Sequence, residues 1–128
     1  MKWLKVFALF FLLHIAGWAA AHVYMNQNPQ QVLVVVDTSF AMKPKFPAIQ
    51  DWIDELEASA RYQVVTVGTD KAMLGKLADL KSRSVIFRTA FGRMDVENLV
   101  RYRGVEADEK ILLSDGKIRP EGWEVVAF

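Results

Sequence analysis

Short runs of apolar residues, several of them rich in β-branched side chains, recur along the chain and predict strands. Residues 32–36 read VLVVV and are apolar at every position. A run without a polar position is typical of a strand buried on both faces of a sheet. Similar runs predict strands at 62–67 (YQVVTV), 110–113 (KILL) and 123–128 (WEVVAF), and a short strand or extended segment at 84–88 (SVIFR).

The segment between the first two predicted strands has the periodicity of a helix. In residues 47–62, PAIQDWIDELEASARY, apolar positions three and four residues apart define one face and carboxylates occupy the other. The apolar face consists of Phe46, Ile49, Trp52, Ile53, Leu56 and Ala60. A second helix is predicted after Asp95, which has the position of an N-cap, and is expected to end near Gly104.

A strand, a helix and a second strand in this order predict a right-handed βαβ unit with parallel strands. The predicted fold class is therefore α/β, with a Rossmann-like, doubly wound and mostly parallel sheet of about five strands over residues 32–128. Residues 71–80 are less clear from the pattern. Their apolar positions have helical spacing, but Gly75 weakens a helix.

The longest apolar stretch lies at the start of the chain, where residues 3–25 contain no acidic side chain. About 20 apolar residues suffice to cross a bilayer, so residues 1–25 are predicted to be a single-pass membrane anchor. Lys2 and Lys5 place its amino terminus in the cytoplasm. The alternative is a cleaved signal sequence, because Ala19 and Ala21 form an AxA pattern. Either way, the domain at 32–128, behind a linker at 26–31, lies outside the cytoplasm.

The amino-acid composition indicates a cellular compartment and excludes several kinds of active site. The chain has no cysteine, which disfavours a small secreted animal domain and favours a bacterial inner-membrane protein facing the periplasm. Both histidines, His14 and His22, lie in the apolar segment, so the predicted domain has no Ser-His-Asp triad, cysteine nucleophile or histidine-cysteine zinc site. The basic residues outside that segment nearly balance the 15 acidic ones, which argues against a nucleic-acid surface.

Aspartates follow two of the predicted strands. Asp37 comes directly after residues 32–36, and Asp115 follows the KILLS run. The carboxyl ends of strands in an open α/β sheet form the crevice where ligands bind. Carboxylates and the hydroxyls of Thr38 and Ser39 are oxygen ligands of the kind that hard cations prefer. This pattern favours a cation site at that edge of the sheet.

The stretch VLVVVDTSFAM resembles the opening of a von Willebrand factor A (VWA) domain, whose metal-ion-dependent adhesion site begins DxSxS. Asp37 and Ser39 match this motif, and Ala41 stands at its second serine. The run KILLSDG resembles the later VWA strand, and Asp115 matches the acidic position of the site. For the threonine of the third loop, Thr89 is a candidate. The best local match, residues 92–95, instead has methionine at the threonine position.

The resemblance implies a shortened VWA-like domain that acts as a non-catalytic, membrane-anchored interaction module. It implies a divalent cation, Mg²⁺, bound by Asp37, Ser39 and Asp115, with Thr89 as a further candidate ligand. An acidic residue of a partner protein would complete the coordination. The resemblance also implies a short antiparallel edge strand within residues 71–80, as the alternative to a helix there.

Two other functions remain open. In a metal-dependent hydrolase or phosphotransferase, Asp37 would be a nucleophile or ligand and Asp115 a second ligand, with Lys117 as an accessory cation. In a structural remnant, favoured by Ala41 and Met94, the domain would bind no ligand. Arginines at the predicted surface offer a weaker candidate site for an acidic partner or anionic lipid; these are Arg88, Arg93, Arg101 and Arg103.

Overall fold

A computed structural model of the chain describes residues 1–88 and 92–128. The described helices are α1 (Lys2–Gln27), α2 (Phe46–Ser59) and α3 (Ser84–Phe87), with 3₁₀ helices at Phe40–Lys45, Leu77–Asp79 and Glu97–Tyr102. The described strands are β1 (Gln30–Val36), β2 (Gln63–Thr69), β3 (Met73–Lys76), β4 (Glu109–Ser114) and β5 (Glu124–Ala127).

The strands in this part of the chain form a five-stranded sheet in the order β3-β2-β1-β4-β5. β1 pairs in parallel with both β2 and β4, and β4 pairs in parallel with β5. β3 is antiparallel to β2 at one edge. The predicted α/β class with a mostly parallel sheet is therefore confirmed. The strand order reverses between β1 and β4, which is where doubly wound sheets bind ligands.

The central strand β1 is buried on both faces, as its uniformly apolar sequence predicts. Val32, Val34 and Val36 point into a cluster of buried side chains that includes residues from α2 and from β4. Leu33 and Val35 point into a second cluster on the opposite face, with Leu99, Tyr102 and Leu112. The predicted face of α2 is also confirmed, because Ile49 and Ile53 are buried and the other four residues pack against the first cluster.

The prediction of a strand or extended segment at 84–88 is wrong, since these residues contain the short helix α3. Ile86 is buried in the first cluster, and its neighbour Phe87 packs against the same cluster, with its ring centroid 4.6 Å from that of Phe46. Successive residues of a strand point to opposite faces, so a strand would not bury both. The Ser82 hydroxyl accepts a hydrogen bond from the Ser84 backbone N–H at 3.2 Å and stabilises the first turn.

Residues 71–80 contain the edge strand β3 followed by the short 3₁₀ helix Leu77–Asp79, and not one continuous helix. Gly75 has a φ of 121°, a conformation that a helix excludes and that glycine adopts readily. The pairing of β2 with β3 is irregular between Val67 and Gly68, opposite this glycine. The helix predicted after Asp95 is a 3₁₀ helix, and Asp95 Oδ1 accepts a hydrogen bond from the Asn98 backbone N–H at 2.9 Å.

The amino-terminal helix α1 has no buried residue and projects from the sheet. By length and composition it can span a membrane, a test that a signal sequence also passes. Asn28 and Pro29 connect it to β1, so the ends of both elements extend into the segment 26–31 that the sequence predicts as a linker. The His22 ring contacts the Tyr62 hydroxyl, which joins the end of α1 to the turn before β2.

A pair of glutamates on neighbouring strands provides a prediction about pH. A hydrogen bond to Glu124 raises the pKa of the Glu109 carboxyl, and burial and the charge of Glu124 raise it further. Because protonation of Glu109 favours the folded state, its contribution to stability is lost as the pH rises through the raised pKa of Glu109. We expect Glu109→Gln to unfold at a higher temperature than the wild-type chain at pH 7 and at the same temperature near pH 4.

Thermal unfolding followed by circular dichroism at the two pH values measures this difference. Glu121→Gln, at an exposed position before β5, is the matched control. An equal gain for both variants at pH 7 would attribute the effect to overall charge rather than to the Glu109–Glu124 pair.

Candidate functional site

Three parallel strands end in aspartate at the same edge of the sheet. Asp37 follows β1, Asp70 follows β2 and Asp115 follows β4 directly. Because β1 lies between β2 and β4, Asp37 is the middle member of this row. β1 and β4 also flank the point where the strand order reverses. The sequence therefore brings carboxylates to the position where this class of sheet binds ligands.

A cleft of about 250 Å³ opens at this edge. The candidate ligands Asp37, Ser39 and Asp115 all line it, so the structure brings together the three residues that the VWA resemblance singles out. Arg93 and Lys117 also line the cleft and add positive charge to its wall. The cleft thus combines carboxylate and hydroxyl oxygens with two basic side chains.

Asp37 is held tightly at the base of the cleft and is only 4% exposed. Its backbone N–H donates to the Leu113 carbonyl oxygen at 2.9 Å, which ties the end of β1 to β4. Its Oδ1 accepts a hydrogen bond from the Ser39 backbone N–H at 2.9 Å. Burial raises the pKa of the Asp37 carboxyl, the hydrogen bonds from Ser39 lower it, and the charges of Asp70 and Asp115 raise it. A bound cation would offset this cost of the ionised form.

Asp115 lies in a tight turn that is closed by hydrogen bonds within residues 114–117. Its Oδ1 accepts a hydrogen bond from the Lys117 backbone N–H at 3.0 Å, and the Lys117 ammonium lies 3.4 Å from Oδ2. The Gly116 backbone N–H donates to the Ser114 hydroxyl at 3.1 Å. The carboxylate is half-buried while the lysine side chain is exposed. A cation entering the cleft would compete with this lysine for Asp115.

Asp70 is a residue of the site that the sequence motifs missed. It is 2% exposed, and its Oδ1 accepts a hydrogen bond from the Thr38 hydroxyl. Its Oδ2 has no hydrogen-bond partner among the residues that the structure describes. The signal was present in the sequence, because VVTVGTD ends a strand in aspartate just as the runs before Asp37 and Asp115 do.

Residues that follow the candidate ligand Thr89 in the chain contribute to the cleft. Gly92 and Met94 line the cleft, and Gly92 forms a parallel bridge with Ser39. Thr89 itself lies outside the described residues. Ala41, at the second serine position of the motif, is exposed and contributes no hydroxyl.

The four candidate arginines have different surroundings in the structure. Arg93 lines the cleft, whereas Arg103 borders a different groove beside Trp123. Arg88 donates a hydrogen bond to the Ser84 hydroxyl at 3.3 Å on α3, and Arg101 is exposed on the 3₁₀ helix Glu97–Tyr102. Of these four residues, Arg93 is therefore the one that lines the candidate cation site.

The donor set of the cleft suits a hard cation that keeps several water ligands. Within residues 1–88 and 92–128, no three histidine, cysteine, aspartate or glutamate side chains are grouped closely enough to hold a metal by themselves. Asp37, Ser39 and Asp115 supply two carboxylates and one hydroxyl, and Mg²⁺ is commonly held by one or two carboxylates with water filling the other positions. The chemistry of the cleft is therefore compatible with Mg²⁺.

Comparisons with protein-family models, with curated proteins and with solved structures found no match to the chain. The VWA resemblance consequently depends on the residues around Asp37 and Asp115 themselves.

Proposed function

We propose that the chain is a membrane-attached, non-catalytic interaction module of the VWA type that binds Mg²⁺ at the cleft. Asp37, Ser39 and Asp115 hold the cation, and an acidic residue of a partner protein completes its coordination. The observation that carries this proposal is the position of these three residues around one cleft, at the reversal point of the strand order.

The charges of the cleft support a partner with an acidic group. Without a cation, the carboxylates of Asp37 and Asp115 face the basic side chains of Arg93 and Lys117. Adding a divalent cation to this balanced set leaves a net positive charge that attracts an anionic group. Binding of the partner is therefore conditional on the metal.

The position of the cleft relative to α1 supports capture of a partner away from the membrane. β1 begins beside the end of α1 and runs through seven residues, about 20 Å, before it reaches Asp37. The cleft accordingly lies at the edge of the sheet opposite to α1. With Lys2 and Lys5 on the cytoplasmic side, the module stands on a bacterial inner membrane and presents the cleft to the periplasm.

The composition of the domain supports a binding role rather than catalysis. Both histidines of the chain belong to α1, and the chain has no cysteine. Lys117, which lines the cleft, is paired with Asp115. A phosphotransferase with Asp37 as nucleophile would need a free activating cation beside it, and the pairing of Lys117 with Asp115 disfavours that role.

Titration of the full chain in detergent micelles with Mg²⁺ and Mn²⁺, followed by calorimetry, tests the proposal. We expect saturable binding by the wild-type chain and a loss of roughly tenfold or more in affinity for Asp37→Ala and for Asp115→Asn. Asp51→Ala, which removes an exposed carboxylate from α2, is the matched control and should bind as the wild-type chain does.

Absence of binding by the wild-type chain at millimolar metal would reject the proposal. Equal binding by all variants would place the cation elsewhere. Hydrolysis of a phosphate ester that disappears in Asp37→Asn would instead establish the enzymatic alternative.

A further inference from the structure

The buried carboxylate of Asp70 connects the segments that form the cleft, although it does not line the cleft itself. The Thr38 hydroxyl donates to Asp70 Oδ1, and Thr38 is the residue between the two candidate ligands Asp37 and Ser39. This hydrogen bond fixes the middle of the loop that carries both ligands. The geometry of the loop is therefore coupled to the end of β2.

Gly92 lies directly against the same carboxylate. A Cβ atom added to Gly92 would overlap the carboxylate of Asp70, so only a glycine permits this close approach. The Gly92 backbone N–H donates to the Thr38 carbonyl oxygen at 3.3 Å. Three segments, at residues 37–39, 70 and 92, thus meet around one buried charge.

The packing around Gly92 and Thr38 does not explain why Asp70 Oδ2 is buried without a hydrogen-bond partner in the described part of the chain. A carboxylate oxygen in that state destabilises the folded protein. Leu or Asn would avoid the penalty of a buried charge at the end of β2. If a cation binds on the other side of the Asp37 loop, the negative charge of Asp70 attracts it and strengthens its binding. The attraction is strong because it acts through a medium of low dielectric constant.

We propose that Asp70 is a positioning residue of the cation site, which holds the Asp37–Ser39 loop through the Thr38 hydroxyl and strengthens cation binding by its charge. This inference depends on the proposed function, because it presupposes a cation in the cleft. Asp70 does not ligate the cation. Its hydrogen bond reaches Thr38, the residue between two of the ligands, and not a ligand itself. In other proteins, removal of a group hydrogen-bonded directly to a metal ligand costs about 10- to 100-fold in metal affinity.

Two substitutions separate the charge of Asp70 from its hydrogen bond. Asp70→Asn retains an oxygen that accepts from Thr38 but removes the charge. Thr38→Val retains the charge but removes the hydroxyl, and Thr38→Ser keeps the hydroxyl as the conservative control. Titration of the full chain in detergent micelles with Mn²⁺ measures the affinity, and circular dichroism verifies that each variant is folded.

We expect Asp70→Asn to bind Mn²⁺ about tenfold or more weakly, Thr38→Val several-fold more weakly, and Thr38→Ser as the wild-type chain does. A merely structural role would change the unfolding temperature and leave the affinity of the folded protein unchanged. Wild-type affinity in folded Asp70→Asn would overturn the inference while leaving the proposed function intact.

If Asp70→Asn does not fold, Thr38→Val decides, and wild-type affinity in that variant overturns the positioning role. Absence of binding by the wild-type chain would reject the cation site and this inference together.

Discussion

Gly68→Ala is expected to lower the free energy of unfolding by about 1–3 kcal/mol, and the melting temperature by on the order of 10 °C. A Cβ atom at Gly68 would lie 2.5 Å from the hydroxyl oxygen and 2.8 Å from Cε1 of Tyr102. Contacts this short between buried atoms require one of the two groups to move. Neither group can move at low cost.

Tyr102 is fully buried, and its hydroxyl donates to the Thr69 carbonyl oxygen. Burial raises the pKa of the Tyr102 phenol to about 12, so the group remains a neutral donor at physiological pH. Gly68 lies on β2 and pairs with Val35 of the central strand. Displacing the ring breaks a buried hydrogen bond, and displacing the strand disturbs the centre of the sheet.

Thermal and urea unfolding of the full chain in detergent measures the loss. Gly104→Ala is the matched control, because a Cβ at Gly104 meets no atom of residues 1–88 and 92–128 within 4 Å and its φ lies outside the range that favours glycine. The Gly68→Ala/Tyr102→Leu double variant should lose less stability than the sum of the losses of the two single variants, since the two sites are in contact. Equal stability of the Gly68→Ala and Gly104→Ala variants would contradict the close packing of Gly68 on Tyr102.

The fold was predictable where the pattern of apolar residues admits one interpretation. Residues 32–36 are apolar throughout and form a strand buried on both faces, and the period of residues 47–62 places α2 with the predicted face inward. Residues 84–88 were not predictable in this way. A run of five residues with two adjacent large side chains fits a strand or a turn of helix equally well, and the choice depends on which elements it packs against.

The candidate site was predictable in part. Asp37 and Asp115 were found because each follows an apolar run, and the parallel sheet then brings them to one cleft. Asp70 follows the same rule, but its role depends on the direction of the Thr38 side chain. Successive side chains after the end of β1 point in different directions. The conformation of the loop at residues 37–39 determines that the Thr38 side chain, and not a neighbouring one, reaches Asp70 at the end of β2. That information is absent from the local sequence.

Asp37→Asn is expected to change stability in opposite directions without and with Mg²⁺. Burial raises the pKa of Asp37, so the ionised carboxylate is disfavoured in the folded chain. At pH 7, asparagine removes this charge and still accepts the hydrogen bond from the Ser39 backbone N–H. Without metal, we expect the variant to be more stable than the wild-type chain by about 1 kcal/mol, a common size for removal of an unfavourable charge.

The pH dependence follows from the direction of that pKa shift. In the wild-type chain, protonation of Asp37 stabilises the folded state, and this contribution is lost as the pH rises from the ordinary value of 3.8 through the raised pKa. The advantage of Asp37→Asn is therefore largest at neutral pH and disappears in acid. Melting temperatures of the two chains measured from pH 3 to pH 8 test this dependence. Asp51→Asn, at an exposed position on α2, is the control and should show no such trend.

Mg²⁺ should reverse the order of the two chains. A ligand at 100 times its Kd stabilises the folded state that binds it by about 2.7 kcal/mol, which exceeds the expected gain from the substitution. The wild-type chain should then melt at the higher temperature, because Asp37→Asn has lost a charged ligand. Destabilisation by Asp37→Asn without metal would identify the carboxylate as a cap of its own loop, and an equal rise for both chains with Mg²⁺ would place the cation outside the cleft. A crossing of the two stabilities requires both a buried unfavourable charge and a cation that relieves it, so neither a capping role nor distant binding can produce it.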